Sequence, residues 1–186
     1  DSGIDATHLA FRTRDASGAV AKDWRKGTRV RATYDFSRAR ELLSEEFSGI
    51  AGAHRQAGGE VKEDAVPTSM LHGIDWTRWE ERLRMRHDAD YRPPVNGHGT
   101  HVAGILGAAW RPDDSPGDAL RPSLLTSQHE RARTGVCPEI ELYDIRVTDD
   151  DGECNEFAVI AALQFIRAFN ARHEHLEIVG ANLSIS

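Results

Sequence analysis

The segment 140–186 constrains the fold more than any other part of the chain. It opens with IELYDIRV (140–147) and closes with LEIVGANLSIS (176–186), two apolar, β-branched runs bounded by turn signals. Between them, NEFAVIAALQFIRAFNARH (155–173) is apolar around most of a helical circumference. Strand, buried helix and strand make a βαβ unit, whose strands run parallel with a right-handed crossover. The chain is therefore read as α/β. At 186 residues it is sized for one domain.

Upstream, RVRATYDF (29–36) alternates as a strand does, with Val30, Ala32, Tyr34 and Phe36 on one face. Arg29, Arg31, Thr33 and Asp35 share the other face and read as its solvated side. Residues 38–57 and 75–87 read as helices. Asp75 is placed to cap the second, and Glu80 to pair with Arg84 four residues on. The joining segment AGGEVKEDAVPTSMLHG and residues 111–134 are rich in Gly, Pro and charge, as exposed loops are. Limited proteolysis is expected first near Gly58-Gly59.

Composition removes several classes of function. Acidic residues outnumber basic ones 30 to 23, for a net charge of −7, and such a balance argues against a nucleic-acid partner. No run of about 18 apolar residues could cross a bilayer, so no membrane role is expected. The opening DSGIDATHLA has no signal-peptide pattern. Two cysteines, Cys137 and Cys154, exclude a disulfide scaffold.

Two short motifs carry chemistry. Asp1-Ser2-Gly3-Ile4-Asp5 suits a tight turn that sets a carboxylate beside a backbone bend, although Asp-Ser-Gly also occurs in ordinary turns. Asn96-Gly97-His98-Gly99-Thr100-His101-Val102-Ala103-Gly104-Ile105-Leu106-Gly107 brackets His98 with glycines, so backbone can approach its ring. Val102, Ala103 and Gly104 then form a small-residue helix able to pack closely on a sheet. A histidine in that setting favours a reacting group. His98 and His101, three apart, also suit a metal site, for which Asp88 and Asp90 could supply oxygens; nothing in the sequence fixes their geometry.

DSGID followed by NGHGTHVAGILG resembles the aspartate and histidine motifs of the subtilisin-like serine proteases, the subtilases. GVCPEIELYDIRV resembles the family's strand after the histidine helix, and GANLSIS its substrate-binding strand. The resemblance implies a three-layer fold with a central, mostly parallel sheet flanked by helices, here truncated. It makes residues 1–186 part of a catalytic domain, with 37–89 a largely helical insert between the motifs. Leu42, Leu43, Phe47, Trp76, Trp79 and Leu83 would cover the sheet or one another.

By the same resemblance Asp1 is the triad aspartate and His98 the general base. His101 is structural and Asp5 a turn residue. Gly152, Glu153 and Cys154 match one edge of the substrate cleft, and Ser184, Ile185 and Ser186 the segment facing it. The family usually has Gly where Ser186 stands, which narrows the floor of the cleft. Cys137 replaces a small residue in the Gly-Val-x-Pro turn, as a buried thiol. The implied substrates are polypeptides. No cofactor is required for the chemistry. A structural calcium is compatible with the family, but no ligands can be assigned, and Asp149-Asp150-Asp151 reads as an acidic turn. The family leans towards export, and compartment and oligomeric state are left open.

The family's serine and oxyanion asparagine follow its histidine, and both are expected beyond Ser186. Pro67-Thr68-Ser69-Met70 copies part of the serine motif but precedes His98, and Pro67 stands where the turn needs glycine, so Ser69 reads as coincidence. The alternatives are a non-catalytic peptide-binding relative and, behind it, a His/Asp metal hydrolase.

Overall fold

The structure is a computed structural model and describes residues 1–56, 73–110 and 134–184. Gly58-Gly59, the Pro67–Met70 segment, most of the 111–134 loop, Ile185 and Ser186 lie outside the described residues, as does the side chain of Phe47. Among the described residues the regular elements are β1 (Val30–Asp35), α1 (Ala39–Gln56), α2 (Trp76–Leu83), β2 (Arg84–Met85), α3 (His98–Gly107), β3 (Leu142–Arg146) and α4 (Glu156–Ala171). The described strands form a three-stranded sheet in the order β2-β1-β3, so the architecture is α/β. Among the described residues, no helix is long and apolar enough to cross a membrane.

The chain divides into two compact units. One comprises Asp1–Thr33, Met85–Arg146 and Asn182–Ser186, the other Tyr34–Arg84 and Val147–Ala181. The core of the first gathers Ala6, Phe11, Val30, Ala103 and Leu142, with Ile4, Trp24, Tyr91 and Ile140 packed against it. Fully burying a side chain such as Phe11 or Val30 contributes about 1.5–3 kcal/mol.

In the second unit the Phe165 ring of α4 packs at a tilt 4.8 Å from Tyr34, 5.4 Å from Phe36 and 5.7 Å from Phe169. Trp76 meets Trp79 edge-on, and Trp79 donates its indole N–H to Glu46 at 2.9 Å. Leu42, Trp79 and Leu83 are buried. Tyr34, Phe36 and Trp76 therefore share a core with α4.

Local signals set the helix starts. Asp75 accepts from the backbone N–H groups of Thr77 and Arg78, and Asn155 from that of Phe157, so each caps a helix. The second helix ends at Leu83, four residues short of the expected 87, because Arg84 and Met85 pair as β2. Glu80 does not pair with Arg84. It binds Arg172 at 2.7 Å and accepts from the Tyr34 hydroxyl at 3.3 Å.

Two strand expectations are corrected. Arg31 is exposed on β1 and Asp35 half-buried, but Arg29 and Thr33 are buried, so that face is only partly solvated. Residues 176–184 form no strand among the described residues. The Asn170 side-chain amide takes both backbone groups of Ile178, donating to its carbonyl at 2.9 Å and accepting from its N–H at 3.0 Å. Leu176, Val179 and Leu183 are left exposed.

Candidate active site

Helix α3 buries a stripe of small residues, Gly99, Ala103 and Gly107, spaced four apart on one face. The expected Val102-Ala103-Gly104 surface is thus only partly the contact face, and a Cβ at Gly104 would meet nothing within 4 Å. The Asn96 side chain accepts from the His98 N–H at 2.8 Å and satisfies one orphan donor at the helix start.

At the other end, the N–H groups of Gly135, Val136 and Cys137 donate to the carbonyls of Ala108, Ile105 and Leu106. Gly135 lies so close that its Cβ would fall 2.7 Å from the Gly104 carbonyl oxygen. The buried Arg29 guanidinium donates to Gly107 and Ala10 carbonyls through Nη2, and to Ile140 at 2.7 Å through Nη1. The helix carrying His98 is therefore fixed at both ends. Cys137 itself is exposed, not the buried thiol expected, because its turn spends its backbone on capping the helix and leaves the side chain outside.

Residues 1–6 carry no regular structure and are held by side chains from elsewhere. Asp144 accepts from the Ile4 N–H at 3.0 Å. The Tyr91 hydroxyl donates to the Ile4 carbonyl at 3.0 Å and accepts from the Ala6 N–H at 2.7 Å. The Thr100 hydroxyl accepts from the Asp5 N–H at 2.9 Å. The Asp5 carboxylate closes a local turn by accepting from the N–H and hydroxyl of Thr7. Gly3 has φ +120°, a conformation open to glycine and strained for other residues.

Asp1 and His98, 97 positions apart, converge. His98 Nδ1 stands 3.1 Å from Asp1 Oδ1 and 3.0 Å from Oδ2. The aspartate side chain is 19% exposed and the imidazole 53%. The N–H of Ser2 donates to Asp1 Oδ1 at 2.6 Å, and its hydroxyl lies 3.2 Å from that oxygen and from the Asn96 carbonyl.

Of the two glycines around His98, only Gly99 is needed for the approach. A Cβ there would sit 2.9 Å from Asp1 Oδ1 and 3.0 Å from Cγ, and would overlap the Gly3 carbonyl oxygen, whereas Gly97 faces open space. With Nδ1 turned to the carboxylate, Nε2 is the nitrogen left to accept a proton.

The family of proteins described as the Subtilase family matches residues 1–181. The chain belongs to the subtilase family. The family is one of serine peptidases, hydrolases that act on polypeptides. No curated protein and no solved structure gave a match.

The remaining subtilase candidates fall as follows. Gly152, Glu153 and Cys154 are exposed on a loop that Asp149 ties together, accepting from the N–H groups of Asp151 and Glu153. Gly152 takes φ +84° there, so the acidic run is a turn. Ser184 is half-buried. His101 is exposed one helical step beyond His98. Asp88 pairs with Arg86, and Asp90 accepts from the Arg86 N–H, so both proposed oxygen donors are otherwise engaged. Among the described residues, no three His, Cys, Asp or Glu side chains stand together as a metal-binding group.

Reading by motif missed Tyr91, Asp144 and Arg146. Asp144 and Arg146 form a buried ion pair at 3.0 Å, and burial pushes the Asp144 carboxyl up while Arg146, the Ile4 N–H and the Thr33 hydroxyl pull it back. Burial likewise raises the Tyr91 phenol to about 12, which keeps it a donor. One signal was present in the strand itself: opposite charges two apart, on the same face as Leu142.

Proposed function

We propose that this protein is a serine endopeptidase in which Asp1 and His98 are two members of an Asp-His-Ser triad. The observation that carries the reading is the Asp1–His98 contact at 3.0 Å, at the head of a helix whose Gly99 admits the carboxylate. In the reaction His98 Nε2 takes the proton of the attacking serine hydroxyl and later delivers it to the leaving amine. Asp1 holds the Nδ1–H tautomer and stabilises the imidazolium that forms. The serine and an oxyanion-hole donor are expected from sequence following Ser186, completing a three-layer catalytic domain in which 37–89 is an insert.

A bound peptide is proposed to lie extended along 152–154, pairing through backbone groups. Such pairing accepts many sequences, and flanking pockets set the preference. The test uses the full-length protein that carries these residues. His98→Ala should abolish both peptide cleavage and labelling by serine-directed phosphonates, while Ser69→Ala leaves both unchanged. Labelling that disappears in the Ser69 variant with the fold intact would overturn the order Asp, His, Ser.

A further inference from the structure

We infer that Tyr91, Asp144 and Arg146 form a clamp that positions the Asp1 carboxylate against His98, an inference that rests on the triad reading above. Three side chains make four contacts on the residues just after Asp1. Arg146 lies along Gly3, where a Cβ would fall 2.5 Å from its Nε and 2.9 Å from its Cδ. Asp144 holds the N–H of Ile4, and the Tyr91 hydroxyl bridges the Ile4 carbonyl and the Ala6 N–H.

The clamp is itself braced. Arg146 donates through Nε to Asp144 at 3.0 Å and through Nη1 to the Arg92 carbonyl at 2.8 Å, with its guanidinium 5.4 Å from the Tyr91 ring centre. Tyr91 is boxed by Trp24 and His87, each 5.1 Å from its ring. The turn that aims it inward has the Arg86 carbonyl accepting from Ala89, Asp90 and Tyr91.

A buried ion pair is a poor device for stability alone, since a packed apolar pair of similar volume often does as well. What this pair does that leucines could not is accept a backbone N–H at a set point. It spends one carboxylate oxygen on its arginine and the other on Ile4. Residues 1–6, lacking a ladder of their own, need such outside donors and acceptors to keep a carboxylate within about 0.5 Å of its working place.

The experiment uses the full-length protein and two variants. Tyr91→Phe removes only a hydroxyl and keeps the ring packing. The double variant Asp144→Ala with Arg146→Met removes the pair without leaving a lone buried charge. In both, kcat should fall on the order of 10-fold while KM stays within about twofold, as expected when orientation and not binding is lost.

Unchanged kcat, with only the melting temperature lowered, would reduce the clamp to a structural role and overturn the inference. His98→Ala, run alongside, separates the two claims. If it is inactive while both clamp variants match the parent, the positioning inference falls and the triad reading stands. If it stays active, both fall.

Discussion

Replacing Gly99 by alanine tests the site with a single methyl group. That methyl would stand 2.9 Å from Asp1 Oδ1 and 3.0 Å from Cγ, and the Gly3 carbonyl oxygen is nearer still. Ordinary contact for such atoms begins at about 3.4 Å, so the carboxylate must retreat by roughly 0.5 Å. Its distance to His98 Nδ1, now 3.0–3.1 Å, would stretch to roughly 3.5 Å, the edge of hydrogen bonding.

A misplacement of about 1 Å can cost 10²-fold in rate, so half of that predicts a fall in kcat of roughly 10-fold, or about 1.4 kcal/mol. The assay is kcat and KM for the full-length protein on a fluorogenic peptide, with a thermal melt beside it. Gly104→Ala on the same helix is the matched control. Its Cβ meets open space, so it should leave kcat alone and gain about 0.5–1 kcal/mol of helix propensity. A Gly99→Ala protein with kcat within about twofold of the parent would refute the idea that this glycine exists to admit Asp1.

Two further outcomes follow from the same contacts. Arg29→Met removes the donor shared by the Gly107, Ala10 and Ile140 carbonyls in a buried setting, and denaturant unfolding should show a loss of about 3 kcal/mol or more. Tyr91 titrates at about 12 in the fold against about 10 unfolded, so between those values the folded chain keeps a proton that the unfolded chain has released. Its contribution to stability therefore falls as pH rises through that window. The unfolding midpoint of Tyr91→Phe should depend less steeply on pH there than that of the parent.

What the sequence revealed and what it withheld divide along physical lines. The cap residues Asp75 and Asn155 act within three positions of their own backbone, so the helix starts were legible from spacing alone. The pairing of Asp1 with His98 was legible for another reason: the NGHGTHVAGILG and DSGID motifs resemble a family in which those two side chains meet. Distance-dependent facts were not legible. Alternation in a strand says which residues share a face, not whether that face meets water. Thr33 on β1 and Arg29 just before it therefore read as solvated although both are buried.

The same blindness hid the clamp. Leu142, Asp144 and Arg146 share the buried face of β3, where a rule that sends charge outward would have turned the strand over. Residues 176–184 failed in the opposite sense. They have the apolar, branched composition of a strand, yet a strand exists only beside a partner, and Asn170 occupies the backbone of Ile178 instead. Gly97 and Gly99 make the point within one motif. Both are glycine next to the same histidine, and one faces open space while the other has a carboxylate against its α-carbon. A motif names the atoms that react; the atoms proposed to hold Asp1 in place come from residues 90 to 145 positions away from it, whose only mark in the sequence is a charge or a hydroxyl on a face that ought to be apolar.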